Sequence, residues 1–267
     1  MALNTPIINV MTRAAEKAAR GLVRDFGEVE QLQVSKKGPG DFVSNADHKS
    51  ERILREELLG ARPDYGFLME ETGSHEGTDK SHRWIVDPLD GTTNFLHGMP
   101  HWAISIALEQ DGEIVAGLIY DPVKDEMFLA QKGMGAFLRN RRIRVSNRAR
   151  LSESVFATGI PFLGRLEEEG NKRFLRQAEK VMAASAGIRR WGAAALDLAY
   201  VAAGRYEGFW ERGLNPWDVA AGLLLVREAG GLVTDLRGKK YDLDTDDILA
   251  SNERIHRSFV DLIGPVS

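Results

Sequence analysis

The chain has 267 residues, 43% of them hydrophobic and 28% charged, with a net charge of −4 and no cysteine. This is the composition of an ordinary globular protein with ample apolar material for a core. It excludes disulfides and Cys-ligated zinc or iron–sulfur centres, and the slight acidity offers no global attraction for a nucleic-acid backbone.

From Thr5 to Phe26, apolar residues recur at helical spacing, with Thr5 as cap and Pro6 at the first helical position. Arg13, Glu16, Lys17 and Arg20 interrupt this stretch, so it does not read as a signal peptide. The longest apolar run, Val219 to Val226, is too short to span a bilayer, so a cytoplasmic protein with no membrane partner is expected. Val34 to Gly40 reads as a turn-rich loop carrying Lys36 and Lys37, and Asp41 to Ala46 as extended chain. Asp47 opens a second helix reaching about Leu59, with Ile53, Leu54 and Leu58 facing inward. Tyr65 to Met69 is a short strand delivering Glu70 and Glu71, and Gly73 to Ser81 a polar, mobile connection.

Trp84 to Val86 reads as a buried strand leading into Asp87-Pro88-Leu89-Asp90-Gly91-Thr92-Thr93-Asn94. Pro88 cannot donate to a sheet ladder, so the strand is expected to stop there. Asp90 then falls at a helix N-cap, with Gly91, Thr92 and Thr93 as the first helical positions. Two carboxylates beside free backbone N–H groups suit a hard divalent cation and a phosphate together. Taken alone, the motif reads equally as a capped turn whose acids only stabilise a helix start.

Between Ala103 and Val145 the pattern becomes an antiparallel meander, with Asp111-Gly112 as a hairpin signal. Arg139, Arg141, Arg142 and Arg144 read as a solvated hairpin tip, with a partner-binding patch left open. Thereafter strands at Val155–Thr158, Ile188–Trp191, Tyr206–Trp210, Leu232–Thr234 and Ile248–Ala250 alternate with helices over Glu167–Ser185, Ala193–Ala203, Asn215 to Gly230 and Glu253–Ile263. This predicts a layered α/β fold with sheets sandwiched by helices, and residues 1–267 read as one unit because no linker divides them.

Two further acids stand in comparable settings. Glu70 ends a strand and Asp218 lies in the first turn of the helix after Asn215-Pro216, where ligand sites of α/β sheets gather. Four clustered carboxylates would repel one another unless divalent ions neutralise them. All candidate ligands are oxygen donors, which selects Mg²⁺, with Mn²⁺ as substitute, over zinc. Two ions roughly 3.5–4 Å apart would let Asp87 bridge them, one activating water and the other stabilising the leaving oxygen. A third, weaker ion fits with a phosphate monoester bound. His97 and His101 flank the motif and are assigned no metal.

Glu70-Glu71, Asp87-Pro88-Leu89-Asp90-Gly91-Thr92-Thr93-Asn94-Phe95 and Trp217-Asp218-Val219-Ala220-Ala221-Gly222 together resemble the three signature segments of the inositol monophosphatases, in particular their bacterial SuhB type. The similarity extends through Lys36–Asp47 and Gly192–Gly208. The resemblance implies an α-β-α-β-α sandwich of the inositol monophosphatase and fructose-1,6-bisphosphatase type, Mg²⁺ dependence, lithium inhibition and a homodimer. It implies that Glu70, Asp87 and the Leu89 carbonyl bind one Mg²⁺, that Asp87, Asp90 and Asp218 bind a second, and that Glu70 helps hold a third through water. Thr92 with Glu70 would orient the attacking water, and the Gly91 and Thr92 N–H groups would cradle phosphate. Asp90, Gly192, Ala194 and Glu211 would meet the polyol hydroxyls, with Asp218 also on the substrate, and Lys36 and Asp47 would stand behind the site. Ala193 departs from the Ser or Thr that relatives usually carry, removing a hydroxyl near the polyol.

The expected activity is hydrolysis of myo-inositol 1-phosphate, or a close polyol phosphate, by in-line attack of a metal-activated water without a phosphoenzyme. Histidinol phosphate, 3′-phosphoadenosine 5′-phosphate and fructose 1,6-bisphosphate are the alternatives that relatives use. The resemblance also implies a non-catalytic alternative in ribosomal RNA transcription complexes, which the net charge does not support.

Overall fold

The computed structural model describes residues 3–28, 34–38, 41–161 and 167–264. Helix α1 (Pro6–Phe26) starts where expected, its Ile8 N–H donating to Thr5 Oγ1 at 3.4 Å. Strands β1 (Val34–Gly38) and β2 (Asp41–Ser44) form an antiparallel ribbon. The loop expected at Val34–Gly40 is therefore a strand over its first five residues. Ladder pairing satisfies backbone groups whatever the side chains, which a reading of side-chain pattern does not weigh. The Lys36 side chain, Pro39 and Gly40 lie outside the described residues.

Helix α2 (Asn45–Ala61) begins two residues before Asp47, because Ser44 is the cap and Asp47 closes a capping box on it. Strands β3 (Tyr65–Met69), β4 (Gly73–His75) and β5 (Asp79–Asp90) follow, so much of the expected mobile connection is ordered strand. After the short helix α3 (Thr92–Leu96) come β6 (Ala103–Gln110), β7 (Glu113–Asp121), β8 (Glu126–Gln131), β9 (Gly135–Leu138) and β10 (Arg141–Ile143), the expected meander. The remaining elements are β11 (Val155–Thr158), α4 (Glu168–Ala184), β12 (Gly187–Arg189), α5 (Ala194–Ala202), β13 (Gly208–Arg212), α6 (Pro216–Glu228), β14 (Gly231–Thr234), β15 (Asp247–Asn252) and α7 (Glu253–Ile263).

One sheet has eight strands in the order β10-β9-β8-β7-β6-β5-β3-β4, with β3 parallel to β5 and every other pair antiparallel. A second has five, in the order β12-β11-β13-β15-β14, with β11 parallel to both neighbours. Side chains alternate between the faces of each strand, and this sorts the core into layers. Trp84, Val86, Ile104, Ile106 and Leu118 pack with Met11, Leu22, Leu54 and Leu58 of α1 and α2. Their neighbours Ile85, Ala107 and Ile119 face the other way, onto Leu198 and Ala221 of α5 and α6, which also cover Phe209, Val233 and Ala250 of the second sheet. Phe156, Trp210 and Leu249 pack outward with Phe174 and Phe259 of α4 and α7. The order is helices, sheet, helices, sheet, helices, as expected. Gly117 permits the central contact: a Cβ there would come within 2.9 Å of the Ala221 carbonyl.

Candidate active site

The site forms where β5 ends. The expected strand stop at Pro88 does not occur, since β5 runs on to Asp90. Pairing with β6 shifts by one residue between Asp87, opposite Ser105, and Asp90, opposite Ala103. A bulge accommodates the missing Pro88 N–H, because an extra residue leaves the ladder at that point. The Pro88 carbonyl is held instead by Ser50 Oγ of α2 at 2.9 Å, and Leu89 N–H donates to Asp87 Oδ1 at 2.9 Å. Asp90 is accordingly not the helix cap. Gly91 takes that position with φ 91°, which an L side chain rarely adopts. A Cβ on Gly91 would also approach the His101 carbonyl to 3.1 Å and the Ala193 Cβ to 3.3 Å.

Glu70 leaves β3 beside this strand, its N–H bonded to the Val86 carbonyl at 3.2 Å, while the Glu71 N–H is held by Glu51 Oε2 at 2.9 Å. Asp218 comes from the far half of the chain. It caps α6 reciprocally with Asn215, whose N–H donates to Asp218 Oδ2 at 2.7 Å. Ser105 Oγ of β6 donates to the Trp217 carbonyl at 3.2 Å, which ties the start of α6 to the first sheet.

The acids influence one another strongly. Asp87 is raised well above the usual carboxylate range by burial first, then by Glu70, Asp90 and Asp218, and it shares a hydrogen bond with Glu70. Asp90 is likewise raised, by burial and then by Asp218, with Glu211 and Glu70 adding to it. The opposing hydrogen bond comes from Ala195 N–H, at 2.8 Å from Asp90 Oδ2. Among the described residues, no lysine or arginine ranks among the chief influences on either acid. Among the described residues no three acids or histidines already stand as a closed metal cage. Carboxyls that share a hydrogen bond draw their oxygens toward each other and not toward a common centre. As a donor set, carboxylate and carbonyl oxygens gathered with this much negative charge fit a hard divalent cation.

Thr92 Oγ1 lies 3.1 Å from Asp47 Oδ1 and 3.0 Å from the Leu89 carbonyl, which places Asp47 against Thr92. Burial raises Asp47, against hydrogen bonds from Ser44 and Thr92 that lower it. On the opposite wall, Gly192 (φ 82°) and Ala193 lead into α5, whose first residue is Ala194. Asn94 fastens the two walls, with Nδ2 at 2.7 Å from both the His101 and the Trp191 carbonyls. Glu211, one residue before the end of β13, lies against Gly159, where a Cβ would overlap its carboxylate. His97 is exposed and His101 is buried, and burial, then the Lys124 charge, lowers the His101 imidazole to about 4. Arg139 pairs with Asp125, while Arg141, Arg142 and Arg144 are exposed, as a hairpin tip should be.

The sequence reading passed over Asp197. It is fully buried in α5, burial and then Glu211 and Asp90 push it well above the usual range, and its Oδ1 has no hydrogen-bond partner among the described residues. A single acid inside Ala194–Ala202, otherwise apolar, was the available signal.

A sequence model described as the inositol monophosphatase family matches residues 3–264. An inositol-1-monophosphatase of Mesorhizobium japonicum is 59% identical over 254 residues, covering 95% of this chain and 94% of that protein. The Nus factor SuhB of Escherichia coli is 41% identical over 255 residues, covering 96% and 94%. The crystal structure of extragenic suppressor protein SuhB from Bartonella henselae superposes with a TM-score of 0.95 at 55% identity, covering 98% of this chain and all of that one.

Proposed function

The chain belongs to the inositol monophosphatase family, and from that premise we propose that it is a phosphomonoesterase releasing inorganic phosphate from myo-inositol 1-phosphate. The observation that carries the reading is the convergence of Glu70, Asp87, Asp90 and Asp218 from the ends of β3 and β5 and the start of α6, near enough that Asp87 and Asp90 are each raised by the acids around them.

Glu70, Asp87 and the Leu89 carbonyl would hold one Mg²⁺, and Asp87, Asp90 and Asp218 a second. Once bound, such ions neutralise the phosphate and lower the pKa of water. The chain's own residues supply the rest. Thr92 and Glu70 orient the water in line with the ester bond, with Asp47 and the Leu89 carbonyl fixing the Thr92 hydroxyl. The Gly91 and Thr92 N–H groups receive phosphate oxygens. Asp90, Gly192, Ala194 and Glu211 orient the polyol, and Ala195 N–H holds Asp90 in place for it. Ala193 presents only a methyl where a hydroxyl would add a contact, which bears on preference among polyols. We read the unit as residues 1–267, a homodimer in solution, metal-dependent and lithium-sensitive.

The test is phosphate release from myo-inositol 1-phosphate, histidinol phosphate, 3′-phosphoadenosine 5′-phosphate and fructose 1,6-bisphosphate, with and without Mg²⁺. Magnesium-dependent release, fastest from the inositol ester, is expected. A metal-independent profile would reject the reading. A second role, in a transcription complex, has support in the similarity to the Escherichia coli Nus factor and in the exposed Arg141, Arg142 and Arg144. Co-purification of transcription proteins with the Asp218→Asn variant is the expected result for that role, because scaffolding does not need catalysis.

A further inference from the structure

Among the described residues, eight buried side-chain polar atoms lack a hydrogen-bond partner, and three of them belong to residues lining one cavity: Gln177 Oε1, Trp210 Nε1 and Arg212 Nε. Trp210 and Arg212 are two apart on β13 and so share its outer face. Gln177 reaches them from α4, where its Nε2 is already engaged with the Ile263 carbonyl at 2.6 Å. Arg212 likewise spends Nη1 on Asp247 at 3.1 Å, which leaves Nε over. Gly159 and Glu211 line the same cavity. The space open to the centre of a water molecule is about 10 Å³, which is room for about one water.

The chemistry of the three atoms is complementary to that occupant. Two N–H groups donate and one amide oxygen accepts, and a water has two lone pairs and two hydrogens. We propose that one buried water is bound here by Arg212 Nε, Trp210 Nε1 and Gln177 Oε1, and that it fixes the end of β13 and thereby positions Glu211 for the polyol. Leaving three such groups dry would cost far more than immobilising one water. Gly159 lets this reach the site, since it lines the cavity and also receives the Glu211 carboxylate where a side chain would stand. Gln177, Trp210 and Arg212 are positioning residues on this view. Their role rests on the reading of Glu211 as a polyol contact.

Two measurements decide it. A crystal structure that resolves ordered solvent should show one water within about 3.2 Å of all three atoms; a dry cavity overturns the site. Gln177→Met and Trp210→Phe each remove one partner of the water. Both should raise KM for inositol 1-phosphate several-fold while leaving kcat, and turnover of p-nitrophenyl phosphate, near wild type. Unchanged KM, equal losses on both substrates, or a split in only one variant rejects the positioning role. Glu211→Gln, run in parallel, tests the underlying reading. If that variant fails to separate the two substrates, the Glu211 assignment and the positioning role fall together, while electron density alone still judges the water.

Discussion

The two halves of the molecule meet at the site with opposite characters. The first sheet delivers Glu70, Asp87 and Asp90 from the ends of adjacent strands, braced by α2 through Ser50 and Asp47. The second half delivers Glu211, Asp218 and the Gly192–Ala194 turn from one strand end and two helix starts. One side concentrates charge that must be neutralised, and the other is the wall we propose for a neutral alcohol. The difference suggests that substitutions in the first half should abolish chemistry, while most of those in the second should redirect it. Asp218 is the exception, a second-half residue acting on the charged side.

The sharpest test is Asp87→Asn. Loss of the shared carboxylate should reduce phosphate release roughly a thousandfold or more. Magnesium should raise the unfolding temperature of the wild type and no longer that of the variant, because only a bound ion stabilises the fold by linkage. Asp218→Asn should lose catalysis similarly and keep its fold; near-wild-type turnover would break the exception just drawn.

Next in size is Gly91→Ala. The positive φ and the close His101 carbonyl should cost about 1–3 kcal/mol of stability, read as a lower denaturant midpoint. Glu211→Gln should be milder and selective. We expect KM for inositol 1-phosphate to rise about tenfold, equivalent to roughly 1.4 kcal/mol, with hydrolysis of p-nitrophenyl phosphate little changed. An equal effect on both substrates would erase the contrast between the halves.

The smallest effect at neutral pH concerns His101. Its imidazole is buried, and its folded pKa is lowered to about 4, against about 6.5 in an unfolded chain. The unfolded state therefore binds more protons in that window. The stabilisation is complete above pH 6.5 and is lost as pH falls toward 4, by about 3 kcal/mol in all. His101→Asn should flatten unfolding temperature against pH between these limits, and an unchanged slope would exclude His101 as the source.

Much of this was legible in the linear chain. Helical spacing marked α1, and the Asp-Gly turn marked the meander, because both depend on neighbours a few residues apart. The DPLDGTTN segment announced a strand end carrying acids. Its local geometry was misread, since Pro88 proved compatible with a strand once a bulge relieved the ladder. β1 was missed because its pairing lies in the backbone.

The sequence by itself therefore determined the types of chemical group, the periodicity of the elements and the acids worth watching. Tertiary structure alone decided that Ala195 N–H would hold Asp90 across 105 positions of chain, and that Gly159 would make room for Glu211. It also left Asp197 buried, with no partner for Oδ1 among the described residues. Periodicity is a property of residues a turn apart, whereas the field at a carboxylate is set by whatever charge and solvent the fold brings near it.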